Sequence, residues 1–204
     1  ALLDCVKPQD LVIACFTGGS SALFVDPVDR ISLQDKQEMS QALLTCGAKI
    51  TEINAVRKHI SGVKGGRLAL RMPARASLIN LTVSDVVGDA LDCITDPTVP
   101  DTSTLKDARA TLDNYELWSR IPASVAAYLR NAGVDEETPK PEDFVGRPTQ
   151  SVVVVPGDRA CVSAAKRAET LGYDTIVLST MFEGESAEIG QTFAAIAKEV
   201  CQYG

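Results

Sequence analysis

The chain has a single histidine, His59, and its six cysteines, at positions 5, 15, 46, 93, 161 and 201, form no Cys-x-x-Cys pair. That removes the usual ligand sets for zinc. No stretch approaches the ~18 consecutive apolar residues of a membrane span. The N-terminal Ala-Leu-Leu-Asp-Cys lacks a basic start followed by an apolar segment and a cleavage site, so it does not read as a secretory leader. Positive charge is in deficit: 20 Lys and Arg face 27 Asp and Glu, a formal net charge of −7 with a pI of about 4.8. A dedicated nucleic-acid binder would be basic. Gly-Lys-Ser/Thr of a Walker loop and G-x-G-x-x-G of a dinucleotide fold are both missing, as are internal repeats and low-complexity tracts. The chain starts at Ala1 rather than Met and is read as part of a longer polypeptide.

What is present is ordinary for a globular domain: 204 residues, 45% hydrophobic and 23% charged. A disulfide framework is not expected at this length and apolar content. A reducing, cytoplasmic compartment is expected, with Cys15 and Cys46 as small core residues. Leu11–Phe16 is a continuous apolar run and predicts a strand buried on both faces, as in a parallel sheet, and Leu78–Val83 predicts a second buried strand. Ser32 with Asp35 reads as a capping box for a helix ending near Gly47, and Thr51 as the cap of the next helix. Thr104 with Asp107 predicts a helix to about Tyr115, and Pro122 opens another. Residues 86–104 read as a long loop, and the polar, proline-bearing stretch 135–150 as an internal linker. Beyond it, Ser151–Val155 is a strand, 158–171 a helix closed by Gly172, 175–178 a strand and 186–201 the last helix. Strands alternating with helices predict an α/β fold, an open, mostly parallel, Rossmann-like sheet with helices on both faces.

Against the overall acidity, one segment concentrates cations. Arg57, Lys58, Lys64 and Arg67 lie on one helix and the glycine turn after it. At about 100° per residue, Asn54, Arg57, Lys58 and Ser61 share an arc of roughly 100°, while Ile53, Val56 and Ile60 share another that faces the core. Neighbouring like charges repel unless an anion or a carboxylate sits between them. Arg suits bidentate carboxylate or phosphate binding, and Lys acts as a point charge. The alternative is a solvated basic face. Thr17-Gly18-Gly19-Ser20-Ser21 follows the first strand, where backbone N–H groups can form an anion nest; a plain tight turn explains it equally. In Ser84-Asp-Val-Val-Gly-Asp89, after the second strand, Asp85 and Asp89 could bind Mg²⁺ or orient a hydroxyl, or merely cap a turn. His59 points about 140° from Asn54 and reads as structural. Tyr115 and Trp118 read as core, and Glu183 and Glu185 as helix-dipole partners.

Taken together these blocks resemble the class II glycerate 2-kinases, the family that carries a C-terminal MOFRL domain. The residues that carry the likeness are Gly18-Gly19-Ser20-Ser21-Ala-Leu, Cys46 through Ser61, Lys64-Gly-Gly-Arg-Leu-Ala, Ser84 through Asp89, Pro97 through Asp101, Glu137-Thr-Pro-Lys140 and Gly184-Glu185. Thr95-Asp96-Pro97-Thr98 departs from the family's Ser-Gly-Pro-Thr by placing a carboxylate where glycine would approach a phosphate. The resemblance implies that residues 1–204 are a partial N-terminal α/β domain, without the segment bearing a catalytic lysine and without the MOFRL domain. It also implies transfer of the γ-phosphoryl group of ATP to the 2-hydroxyl of D-glycerate, with Mg²⁺. Arg57 and Lys58 would meet the carboxylate or the transferring phosphoryl group, and Asp85 and Asp89 the metal or the hydroxyl. Gly18, Gly19, Ser20, Ser21, Asn54, Ser61, Lys64, Arg67 and Thr98 would hold substrate or phosphate. The expected partners are small molecules, with neither nucleic acid nor membrane, and a homodimer is compatible with the chain. The rival readings are an NAD(P)H-dependent hydroxypyruvate reductase and an inactive anion-binding fragment.

Overall fold

Three apolar runs pair into one parallel sheet. In a computed structural model, β1 (Leu11–Phe16), β2 (Ser77–Val83) and β3 (Thr149–Val155) lie in the order β1-β2-β3, with Leu11 opposite Ser77 and Leu78 opposite Thr149. The structure describes residues 3–17, 19–84, 86–89 (the backbone alone at 89), 91, 97–182, 184 and 186–203. Gly18, Asp85, the Asp89 side chain, Cys93, Thr95, Asp96, Glu183 and Glu185 of the sequence reading lie outside the described residues. The fold is α/β, and the chain divides into two units, Ala1–Pro156 and Gly157–Gly204.

The first unit holds six α-helices among the described residues. They are α1 (Ser20–Leu23), α2 (Leu33–Thr45), α3 (Ile50–His59), α4 (Arg67–Arg71), α5 (Leu105–Asn114) and α6 (Ala123–Asn131). Ser32/Asp35 and Thr104/Asp107 form reciprocal capping boxes. The cap of α3 is Lys49 rather than Thr51: the Glu52 carboxylate accepts from the Lys49 N–H at 2.9 Å, so a charge at the third helical position replaces a capping hydroxyl. Met39, Leu43, Ile53, Val56, Ala108, Leu112, Leu117, Val125 and Leu129 form the main core, so α2, α3, α5 and α6 bury their apolar stripes on one another. A smaller core of Ala69, Met72, Ala76 and Leu78 lies against the sheet with Val12, Ala14 and Phe144.

Three expectations are corrected. β1 is not buried on both faces; it alternates, with Leu11 and Ile13 more than half exposed and Cys15 exposed beside them. The stretch 135–150 is not a free tether. It holds the 3₁₀ turns Val134–Glu136 and Pro141–Phe144, and buries Thr138, because its polar residues bond inward. In the second unit α7 (Gly157–Thr170) and α8 (Ser186–Tyr203) form, and Gly172 (φ 87°) follows α7 in the left-handed region as expected. Residues 175–178 form no strand, since a β-branched run needs a neighbouring backbone to pair with.

Leu43 is fully buried and its neighbour Leu44 is 65% exposed. Leu43→Ala should therefore lower the unfolding free energy by about 2–5 kcal/mol and Leu44→Ala by about 0.5 kcal/mol or less, read from urea transitions. Equal losses would contradict this packing.

Candidate functional site

The register that sets Phe16 opposite Thr82 brings the bend after β1 and the segment opening at Ser84 side by side at the carboxyl edge of the sheet. That is where open α/β sheets bind ligands. The bend turns at Gly19 (φ 84°), in a region that costs little only for glycine. Ser20 closes it by donating both its N–H (3.1 Å) and its hydroxyl (2.6 Å) to the Thr17 carbonyl. Ser20 is thus committed to the turn. Ser21 is claimed by Lys64, whose ammonium donates to the Ser21 carbonyl at 2.6 Å and hydroxyl at 2.7 Å. Lys64 is 1% exposed, so the cation that meets the β1 bend is a buried one from the turn after α3.

Helix α3 ends in Arg57-Lys58-His59, where the helix dipole favours positive charge. The expected Arg57–Lys58 pair separates. Lys58 is buried and turns inward to an ion pair with Asp101, itself fully buried. Asp101 also accepts from the Ser103 N–H and hydroxyl (both 2.8 Å) and from the Thr138 hydroxyl at 2.8 Å. His59 is fully buried. Its Nδ1 lies 2.6 Å from the Ala55 carbonyl and its Nε2 lies 2.5 Å from Glu137 Oε1. Each ring nitrogen thus faces an oxygen of a neighbouring group. Glu137 also accepts from the N–H groups of Leu105 and Thr138, each at 2.9 Å. Lys140 closes the cluster with 2.9 Å to the Thr138 hydroxyl and 3.1 Å to Glu137.

Arg57 is only half-buried; its Nη1 lies 3.5 Å from Asn54 Oδ1, and its Nε has no hydrogen-bond partner among the described residues. Asn54 and Thr98 are buried. Ser61, also buried, accepts from the Lys64 N–H at 3.2 Å and donates to the Asp26 carbonyl at 3.4 Å, which shapes the turn rather than presenting a hydroxyl. Gly66 (φ 82°) allows close packing. A Cβ there would sit 2.7 Å from the Val99 carbonyl and 2.9 Å from the Phe144 ring. Arg67 donates to the Glu136 carbonyl at 2.6 Å and lines a cleft of about 890 Å³ together with Asp26, Arg71 and Tyr128.

Burial alone would raise the Asp101 carboxyl. The hydrogen bond and charge of Lys58, with the two donors of Ser103, outweigh it and hold Asp101 below the usual carboxylate range. Burial works the same way on Glu137. The Leu105 N–H, the His59 hydrogen bond, the Thr138 N–H and the His59 charge outweigh it, bringing Glu137 to about 2. Among the described residues, no group of three or more His, Cys, Asp or Glu is arranged to hold a metal ion. Asp85 and the Asp89 side chain lie outside the described residues, so no step is derived through Mg²⁺. No helix among the described residues is long and apolar enough to cross a membrane.

Asp101, Glu137, Thr138 and Lys140 were not candidates on chemical grounds. Asp101 lies 43 residues from Lys58 and Glu137 lies 78 residues from His59, and only the block resemblance touches them. Within the sequence, the one available signal was an acid after Pro100 in a loop with few other features.

A sequence profile described as a domain of unknown function (DUF4147) matches residues 1–130, well over half of the chain. The chain belongs to this family. It is 38% identical over 207 residues to the glycerate 2-kinase of Pyrococcus horikoshii, covering 100% of this chain and 46% of that protein. It is 40% identical over 198 residues to a provisionally named hydroxypyruvate reductase of Agrobacterium vitis, covering 97% and 43%. Among solved structures, the glycerate kinase of Thermotoga maritima superposes with a TM-score of 0.73 at 36% identity, covering 98% of this chain and 45% of that one. The DUF4147 chain thus spans a little under half the length of these relatives.

The two depressed carboxyls set an acid limit on stability. A group held low in the folded state stabilises above its unfolded value, 4.5 for Glu137, and that contribution disappears as pH falls towards about 2. The urea midpoint should decline between pH 5 and pH 2 in the parent protein, and less steeply in Glu137→Gln. Identical slopes would contradict the depressed Glu137.

Proposed function

We propose that the full-length protein is a glycerate 2-kinase, transferring the γ-phosphoryl group of ATP to the 2-hydroxyl of D-glycerate to give 2-phosphoglycerate. The observation that carries this reading is the 38% identity to a glycerate 2-kinase across the entire chain, including the cationic block from Cys46 to Arg67. ATP as donor and Mg²⁺ as metal belong to the proposal, with Asp85 and Asp89 as the residues that would hold the metal.

Phosphoryl transfer asks a protein for position and charge more than for covalent chemistry. Arg57, half-buried with an Nε unpaired among the described residues, is suited to clamp a carboxylate or the transferring phosphoryl group. Lys64 would hold the β1 bend in a fixed shape through Ser21, so that donors there need no reorganisation when negative charge develops. Lys58, neutralised by Asp101, would act as a strut that fixes the end of α3 rather than as a free clamp. Asn54 would restrain Arg57, and Arg67 would contribute charge from the edge of the cleft.

A reductase acting on hydroxypyruvate is the second reading, favoured by the Agrobacterium vitis relative. The bend Thr17-Gly-Gly-Ser-Ser21 lacks the glycine spacing that a nicotinamide dinucleotide uses after a first strand. The two readings separate in one pair of assays on the full-length protein. D-Glycerate-dependent release of ADP is expected, with no NADH oxidation on hydroxypyruvate. Arg57→Ala should lower kcat/KM for glycerate by ~10² or more, the scale of losing a preorganised charged contact. NADH turnover without ADP release, or unchanged kinetics in the variant, would refute the assignment.

A further inference from the structure

Lys36 belongs to no motif singled out in the sequence and takes no part in the network around Asp101. It sits in the second turn of α2 and is 5% exposed, yet its ammonium has no hydrogen-bond partner among the described residues. Burying an ammonium without a partner is costly, which is why such groups are almost always paired. The surroundings explain what is missing. Helix α2 packs on α3, and the loop before α2 is stitched to the end of α3. Gly62 N–H donates to the Asp26 carbonyl at 2.7 Å, Val28 N–H donates to the Ile60 carbonyl at 3.3 Å, and Pro27 bridges to Ser61.

Two charged groups act on the Lys36 ammonium from these elements: Arg57 on α3, which repels it, and Asp26 on the loop, which attracts it. Asp26 is already engaged, with its Oδ2 2.9 Å from Arg71 Nη1. Arg57 in turn carries an Nε with no partner among the described residues. Two repelling cations, each with a donor unmet among the described residues, thus stand on packed helices, Lys36 on α2 and Arg57 on α3. A single oxyanion would satisfy both.

We propose that Lys36 and Arg57 form an oxyanion subsite in which a carboxylate or a tetrahedral oxyanion supplies the acceptor that both cations lack. The ligand enters on the half-buried side of Arg57, whose planar fork suits two oxygens. The Lys36 ammonium reaches it by swinging on its four-carbon stem, with no movement of the helix. Without the anion, burial first and Arg57 second lower Lys36 to about 8, so a large fraction of the amine is neutral near that pH. The anion favours the charged form, so its binding draws a proton onto Lys36. This extends the role given to Arg57 above and relies on the kinase reading only for the physiological ligand.

The test is titration calorimetry on the full-length protein at pH 8, without nucleotide, in buffers of different ionisation enthalpy. Sulfate and D-glycerate are the probes, since neither titrates at this pH. Binding of at least one probe is expected, with uptake of roughly half a proton per site, as a group near 8 implies. A response to D-glycerate alone assigns the subsite to carboxylates, and a response to sulfate alone assigns it to phosphate-like groups. Lys36→Met should weaken binding about tenfold or more and abolish the uptake. Lys36→Arg, charged at every accessible pH, should bind without uptake, and it keeps the test informative if the Met variant folds poorly. Binding without proton uptake in the parent, unchanged binding in Lys36→Met, or no binding of either probe would overturn the proposal. Because no turnover is measured, an active kinase with no uptake would refute the subsite alone. Uptake without kinase activity would refute only the kinase reading.

Discussion

The buried ion pair between Lys58 and Asp101 is the constraint on which the arrangement of this site depends. Taking two charges out of water costs several kcal/mol for each ion, and mutual attraction offsets that only where geometry is good and the remaining lone pairs are used. Here they are used. Asp101 accepts from Lys58, from both donors of Ser103 and from Thr138. The consequence is positional. Three pieces of chain far apart in sequence meet at one carboxylate: the last turn of α3, residues 101–103 leading into α5, and the segment around Thr138.

A second pair, His59 with Glu137, braces the same junction from the other side of α3. Neighbouring residues on one helix thus point two basic side chains at two carboxylates, and the Thr138 hydroxyl lies within reach of both. With the end of α3 held this firmly, the turn after it delivers Lys64 to the bend after β1. Rigidity at that point is what a phosphoryl-transfer site requires, because preorganised charge does its work without moving. Arg57 and Lys36 differ from this network in kind: each carries a donor unmet among the described residues.

Much of the fold was legible. The strand at 11–16 stands out as an apolar run and that at 78–83 as a mainly apolar one, and Ser32/Asp35 and Thr104/Asp107 mark helix starts through local hydrogen bonds that sequence spacing encodes. The division of α3 into an apolar arc and a polar arc also follows from spacing alone: Ile53, Val56 and Ile60 do enter the core. What spacing cannot encode is which distant acid meets which cation. Lys58 on a polar arc reads as a ligand group, and only the fold shows Asp101 reaching it from 43 residues away. The same limit hid Lys36. A lysine early in a capped helix looks solvated until α3 and the 26–31 loop close over it. The run at 175–178 was misread for a related reason, since a strand exists only if another backbone lies beside it.

The central claim is that Lys58 and Asp101 act on each other more than on anything else. A double-mutant cycle with Lys58→Gln, Asp101→Asn and the double variant, read as unfolding free energies in urea, tests it directly. The account predicts strong non-additivity: each single change leaves a buried partner uncompensated, and the double variant is more stable than their sum by about 1–3 kcal/mol. Additivity to within about 0.5 kcal/mol would show that the two side chains are energetically independent and would contradict the account.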